Sequence, residues 1–173
     1  LPDGSVAQVN LDFDTLEKLS RISRKDYGLS GVVQHGASTL PANLFHKFPE
    51  LETAEIHLAT DFQNMMYESK HFPKDFKEEI YSHLRVECVN EKKSGETDEQ
   101  FIYKTRKKGF GGKFKPKFWQ LPEDVKDGIS KELEVKMDFL FDQLKVKNTN
   151  AYVKKSVELV KVQPVLQSEI ENS

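Results

Sequence analysis

The stretch GVVQHGASTLP, residues 31–41, decides the fold prediction, because an apolar run ends there on a histidine and several small residues. Residues 31–34, with two consecutive valines, predict a short buried strand. Gly36 to Ser38 predict a tight turn, and Pro41 suits the first turn of a helix, where its missing N–H costs little. The stretch is either an ordinary strand-to-helix corner or a place where a metal and a phosphate meet.

The segments on either side of residues 31–41 alternate between helix and strand. Apolar residues recur at helical spacing over 14–27, and Gly28 stands where such a helix would end. A second strand is predicted over 54–59, and Asp61 follows it as the cap of a further helix. This alternation is typical of a parallel sheet with right-handed crossovers, although two strands alone are too few for a stable sheet.

Beyond Pro73 the sequence pattern is helical throughout. Helices are predicted over 98–107 and 122–144, and a last helix is predicted to begin near Asn148. The residues expected on buried helix faces are Phe76, Ile80, Leu84, Cys88, Phe101, Ile102, Val125, Ile129, Leu133, Met137, Leu140 and Phe141. The opening LPDGS predicts a turn, and the closing QSEIENS predicts a loose end.

The composition indicates a protein of the cytoplasm. The chain has 173 residues, a formal net charge of −2 and a single cysteine, Cys88, so it can form no internal disulfide and lacks thiolates for a zinc cluster. No apolar segment approaches the roughly 20 residues that span a bilayer, and the first residues lack the features of a signal peptide. We therefore expect no membrane partner.

Both predicted strands end on groups that could contact a ligand. Residues 35–38 read His-Gly-Ala-Ser, and residues 57–61 read His-Leu-Ala-Thr-Asp. In parallel α/β folds, ligands bind at the carboxyl ends of strands, and small residues let backbone N–H groups approach an anion. On the residues alone, a tight corner with Ser38 or Thr39 as a helix cap is the commoner arrangement.

A metal site is not indicated by the histidine spacing alone. His35 could bind a metal through a neutral ring nitrogen, but zinc needs three or four ligands, and no paired ligand accompanies it. The remaining histidines are scattered, and we interpret His46, His71 and His83 as surface or helix-flank residues.

The segment 104–119 combines lysines and an arginine with aromatic residues and glycines. Such a mixture could bind nucleic acid, with cations on phosphates and rings on bases. The alternative is a solvated connector whose aromatic rings pack onto the α/β part of the chain or onto a partner subunit. A net charge near zero and the lack of a nucleic-acid motif favour the connector, so we expect no nucleic-acid partner.

Three segments, at residues 11–16, 31–41 and 55–61, together resemble the C-terminal part of the class II, zinc-dependent fructose-bisphosphate aldolases. The family is a TIM barrel, its seventh strand typically ends in His-Gly-(Gly/Ala)-Ser, and its eighth ends in Asn-x-(Ala/Asp)-Thr. The resemblance covers roughly residues 10–67. It implies an α/β fold in which residues 1–72 are the last βα units of a TIM (β/α)8 barrel, with strands 7 and 8, and residues 73–173 are a helical C-terminal extension.

The resemblance also implies roles for particular residues. His35 would be one of three histidine ligands of Zn²⁺, and Gly36, Ser38 and Thr60 would hold a substrate phosphate, near which a monovalent cation could bind. His57 would contact the substrate, although it stands where the family usually has asparagine. An imidazole can donate a hydrogen bond as an amide does, but its reach and charge differ, which affects substrate preference.

The implied function is that of a lyase of glycolysis and gluconeogenesis, interconverting fructose 1,6-bisphosphate with dihydroxyacetone phosphate and glyceraldehyde 3-phosphate. The family's other zinc ligands and its catalytic acids and bases have no counterpart in this sequence, so no catalytic residue is assigned. We therefore expect the chain to be a C-terminal fragment, inactive alone, that needs the N-terminal barrel portion and forms a homo-oligomer. The alternative is a non-catalytic sugar-phosphate-binding protein of the same fold.

Overall fold

A computed structural model describes residues 10–162, and over that range the chain is mostly helical. The α-helices are α1 (Phe13–Tyr27), α2 (Lys47–Glu50), α3 (Thr60–Glu68), α4 (Lys74–Glu87), α5 (Asp98–Thr105), α6 (Lys115–Trp119), α7 (Glu123–Gln143) and α8 (Asn150–Ser156). The strands are β1 (Val33–His35) and β2 (Glu55–His57). Short 3-10 turns lie at Ala37–Thr39, Ala42–Leu44, Val89–Glu91, Arg106–Phe110 and Gly112–Phe114. The predicted turn at residues 1–5 and the predicted loose end at 167–173 lie outside the described residues.

The two strands pair in parallel, as the alternating pattern predicts. Val33 lies opposite Glu55, Gln34 opposite Ile56, and His35 opposite His57. Because side chains alternate between the faces of a strand, the histidines share one face and Gln34 and Ile56 share the other. Ile56 packs against a buried cluster, whereas both histidines are exposed. The register therefore turns the histidines toward solvent.

Local sequence signals fix helix α1. The Asp12 carboxylate accepts a hydrogen bond from the Thr15 N–H at 3.0 Å, which satisfies one of the free donors of the first turn. Gly28 ends the helix with φ 64°, a left-handed conformation that glycine adopts without a Cβ penalty. The predicted helix over 14–27 is confirmed, and Asp12 is its cap.

The buried residues form two clusters. The strand-side cluster comprises Leu16, Ala37, Leu40, Phe45, Phe48 and Leu140. The aromatic cluster comprises Tyr67, Phe72, Ile80, Leu84, Cys88, Phe101, Ile102, Phe114 and Ile129. Helix α7 contributes Ile129 to the aromatic cluster and Leu140 to the strand-side cluster, so one helix packs against both.

The prediction of a TIM-barrel end with strands 7 and 8 is wrong for this chain. About 65% of residues 10–162 are helical, and this range contains two three-residue strands that pair only with each other. A barrel closes by continuous pairing of eight strands. Here the helices after β2 instead bury their apolar faces on one another in the aromatic cluster, so the fold is mostly helical. The division at residue 72 remains a prediction.

Several local predictions need correction. Asp61 does not cap α3, because that helix begins after Ala59 without a side-chain cap. Met137 and Phe141, expected on the buried side of α7, are 40% and 46% exposed. The remaining expected faces are largely correct: Ile80, Leu84, Cys88, Phe101, Ile102, Ile129 and Leu140 are buried.

The segment 104–119 is built of short helical turns. Phe114 is buried, and Phe110 and Phe118 pack against the aromatic cluster, so these rings pack onto the helical part and not onto the strands as the connector interpretation expected. Lys108 and Lys117 pair with Glu91 and Glu79. Trp119 remains 69% exposed, with the Lys115 ammonium 5.1 Å from the centroid of its ring. No helix within residues 10–162 is both long enough and apolar enough to cross a membrane.

Candidate functional site

The parallel register brings the two strand-end histidines side by side. His35 is the last residue of β1, and His57 is the last residue of β2 directly opposite it. Their ring centroids are 4.3 Å apart, with the ring planes tilted by 49°. Glu55, two residues before His57 and on the same face, contacts the His57 ring nitrogen Nε2 through its carboxylate. The strand ends thus present two imidazoles and one carboxylate on an exposed surface.

A hydrogen bond joins the turn after β1 to the turn after β2. The Ala59 N–H donates to Ser38 Oγ at 3.0 Å. This bond occupies an acceptor lone pair of the hydroxyl and leaves the Ser38 proton free to donate to another group. The two corners are therefore adjacent.

Gly36 separates His35 from the 3-10 turn that carries Ser38. Its φ of 78° lies in the left-handed region, and a Cβ built on it would meet no atom within 4 Å. The residue is therefore needed for its backbone conformation, and the space beside it is open to a ligand.

Thr60 begins helix α3 at the same edge. The first intrahelical bond of α3 runs from the Gln63 N–H to the Ala59 carbonyl, so the N–H groups of the preceding residues have no intrahelical acceptor. Such a terminus carries a partial positive charge that favours anions.

All the residues that the sequence singles out for ligand binding border one open cleft of about 580 Å³. They are His35, Gly36, Ser38, His57 and Thr60. The hydroxyl groups of Ser38 and Thr60 therefore border the same cleft, beside the start of α3. Their individual roles remain predictions.

The described residues do not by themselves fit a zinc ion. Zinc in proteins takes at least three protein ligands. Among residues 10–162, no group of three or more histidine, cysteine, aspartate or glutamate side chains is arranged to hold a metal. His35 and His57 are close enough to act together, but Glu55 already engages His57. A zinc ion at His35 would need ligands from elsewhere.

Sequence reasoning missed three features of this region. The contact between Glu55 and His57 could have been found, since residues two apart in a strand share a face. The bond from the Ala59 N–H to Ser38 depends on how the two turns meet. The ion pair between Lys136 of α7 and Asp61 of α3 joins residues far apart in the chain and has no local signal. Comparison of the chain with protein-family models, with curated proteins and with solved structures finds no match to any of them.

Proposed function

We propose that the cleft at the ends of β1 and β2 binds the phosphate group of a sugar phosphate. The observation that carries this proposal is the 3.0 Å hydrogen bond between the Ala59 N–H and Ser38 Oγ, because it holds the turn after β1 against the start of α3. Each turn alone is ordinary. Together they bring the Ser38 hydroxyl from one side, and the Thr60 hydroxyl with the N–H groups of the first turn of α3 from the other, to one cleft, which suits an anion.

The donors differ in how they would hold the anion. The Ser38 hydroxyl donates its proton while its oxygen stays bonded to Ala59. Thr60 supplies a hydroxyl and one of the free N–H groups at the start of α3. Gly36 lets the backbone approach closely, since no side chain fills the space beside it. The neighbouring His35 and His57 rings add donors at the edge of the cleft.

The reaction that we propose is zinc-dependent cleavage and formation of a ketose bisphosphate, with fructose 1,6-bisphosphate as substrate. The strand-end sequences support it through their resemblance to the aldolases. In that reaction a bound zinc ion would polarise the ketose carbonyl. The residues of this chain would anchor one phosphate and so orient the sugar, while His35 would be one metal ligand. Residues 10–162 contain no group of three metal ligands, so the reaction would need zinc ligands in addition to His35.

The phosphate site is tested by replacing Ser38. We expect Ser38→Ala to weaken binding of inorganic phosphate about tenfold, because a hydrogen bond to a charged group is worth roughly 1.5–3 kcal/mol. Phosphate titration followed by calorimetry or by ³¹P NMR measures the change.

Ser82→Ala is the matched control, since Ser82 is an exposed hydroxyl on α4 that bonds to Glu78. The control should bind phosphate as the unaltered protein does. Equal affinities for the protein and its Ser38→Ala variant, or the same loss in both variants, would rule the site out.

A non-catalytic sugar-phosphate-binding protein is the second candidate. It is favoured by one observation, the lack of a three-ligand group among the described residues. Zinc content separates the candidates. An aldolase should retain about one zinc per subunit after dialysis and lose it on His35→Ala, since a catalytic zinc has three protein ligands. The binding protein should hold phosphate with no zinc.

A further inference from the structure

We propose that Lys136 of helix α7 is a positioning residue that sets the anion affinity of the cleft by neutralising Asp61 in the first turn of α3. This inference rests on the proposed phosphate site and adds a residue that neither the strand-end pattern nor the cleft lining includes. It connects the long helix α7 to the chemistry of the strand ends.

The geometry of the ion pair is specific. Lys136 Nζ lies 2.7 Å from Asp61 Oδ2, with the two side chains 24% and 30% exposed. Among the ion pairs of residues 10–162, it alone has both partners less than one third exposed. Solvent therefore screens this pair less than it screens the surface pairs of the chain.

The lysine side chain is held in place by aromatic rings. Its ammonium lies 6.0 Å from the ring centroid of Phe45 and 5.8 Å from that of Phe139. The aliphatic stem of a lysine packs along apolar surface while its charged end reaches a polar partner. Phe45 belongs to the strand-side cluster, so Lys136 is anchored to the same core that supports the strands.

Asp61 stands at a position that matters for an anion. It directly follows Thr60, which borders the cleft, and it lies in the first turn of α3. An unneutralised carboxylate there would repel a phosphate, and its negative charge would cancel part of the positive potential at the N-terminus of α3. The Lys136 ammonium offsets that charge. The pair also joins α3 to α7.

The test is a double-mutant cycle of Lys136 and Asp61, with the affinity for inorganic phosphate as the measured quantity. Lys136→Met should weaken phosphate binding about fivefold at low salt, because one negative charge close to a divalent anion is then uncompensated. The loss should shrink as salt is added. Asp61→Asn introduced into the Lys136→Met protein should restore most of the affinity, since the pair then carries no charge. Lys136→Arg should keep it.

A purely structural role predicts different results. If Lys136 only braces two helices, the double variant should bind no better than Lys136→Met, and that result would overturn the inference. Unchanged phosphate affinity in Lys136→Met would do the same. Lys126→Met is the control, because Lys126 pairs with Glu123 within α7, away from the cleft. A protein that binds no phosphate at all would defeat the phosphate site itself, which distinguishes the two failures.

Discussion

Gly109 shows how a single residue can be fixed by packing and not by backbone conformation. A Cβ at this position would lie 2.4 Å from Ile80 Cγ2 and 2.4 Å from the hydroxyl oxygen of Tyr67. Tyr67 is fully buried, and its hydroxyl donates to the Arg106 carbonyl at 2.9 Å. Burial raises the pKa of that phenol, so it stays protonated and remains a donor at every physiological pH. The close contact leaves no room for a methyl group.

We expect Gly109→Ala to lower the free energy of unfolding by about 1–3 kcal/mol, the usual cost of overpacking a core. Urea unfolding followed by circular dichroism measures the loss. Gly111→Ala is the control, because a Cβ there would have its nearest neighbour, the Lys108 carbonyl oxygen, at 3.8 Å. Similar stability of the two variants would mean that the crowding at Gly109 relaxes without cost.

At the scale of elements, Lys104 of α5 binds two residues of the segment that precedes this helix. Lys104 Nζ donates to both carboxylate oxygens of Glu96 at 2.8 Å and to the Glu91 carbonyl at 2.7 Å. The bond from Lys104, followed by that from the Lys93 N–H, lowers the pKa of Glu96. Folding is therefore linked to ionisation of this carboxyl group.

The linkage predicts an acid-sensitive contribution to stability. Because the folded pKa of Glu96 is lowered, its contribution is complete above the pKa of the unfolded chain and is lost as pH falls through the folded pKa. Glu96→Gln should therefore lower the melting temperature at pH 7, and the difference should shrink as the pH falls through the folded pKa of Glu96. Melting curves across that range test it, with Glu99→Gln on the exposed side of α5 as the control. A difference that stays constant with pH would contradict the linkage.

The elements differ in how far the sequence predicts them. The bounds of α1, α5 and α7 follow closely from apolar spacing and local caps, because helical hydrogen bonds join residues four apart. The sequence predicted a tight turn at 36–38 and a helix starting near Pro41, but not the division of residues 37–50 into two 3-10 turns and the short helix α2, which accompanies the packing of Phe45 and Phe48 in the strand-side cluster.

The candidate site also combines features that the sequence predicts with features that depend on packing. The identities of His35, Gly36, Ser38, His57 and Thr60 come from the sequence, because strand ends carry ligand contacts in parallel sheets. Their convergence on one cleft follows from the parallel pairing that the alternation of helices and strands predicted. The Lys136–Asp61 pair depends on tertiary packing and has no signal in local spacing.

At the scale of the whole molecule, the number of strands is a property that no local pattern contains. The pattern correctly predicted two parallel strands near 31–34 and 54–59, and the extension to a barrel came from resemblance alone. What organises residues 10–162 instead is α7, which at about 1.5 Å per residue is roughly 30 Å long and packs against both buried clusters. Ile129 lies in the aromatic cluster and Leu140 in the strand-side cluster.

A helix shared by two cores should make them unfold together. Leu140 is 3% exposed, so Leu140→Ala should cost about 2–5 kcal/mol through lost burial and the cavity that remains. If the clusters are coupled, amide hydrogen exchange should accelerate to the same extent in α1, beside the strand-side cluster, and in α4, within the aromatic cluster. Ile129→Ala should give the same joint response from the other end of α7. Acceleration confined to α1 after Leu140→Ala would instead mean that the cores open independently, and the predicted boundary at residue 72 would then separate two folding units.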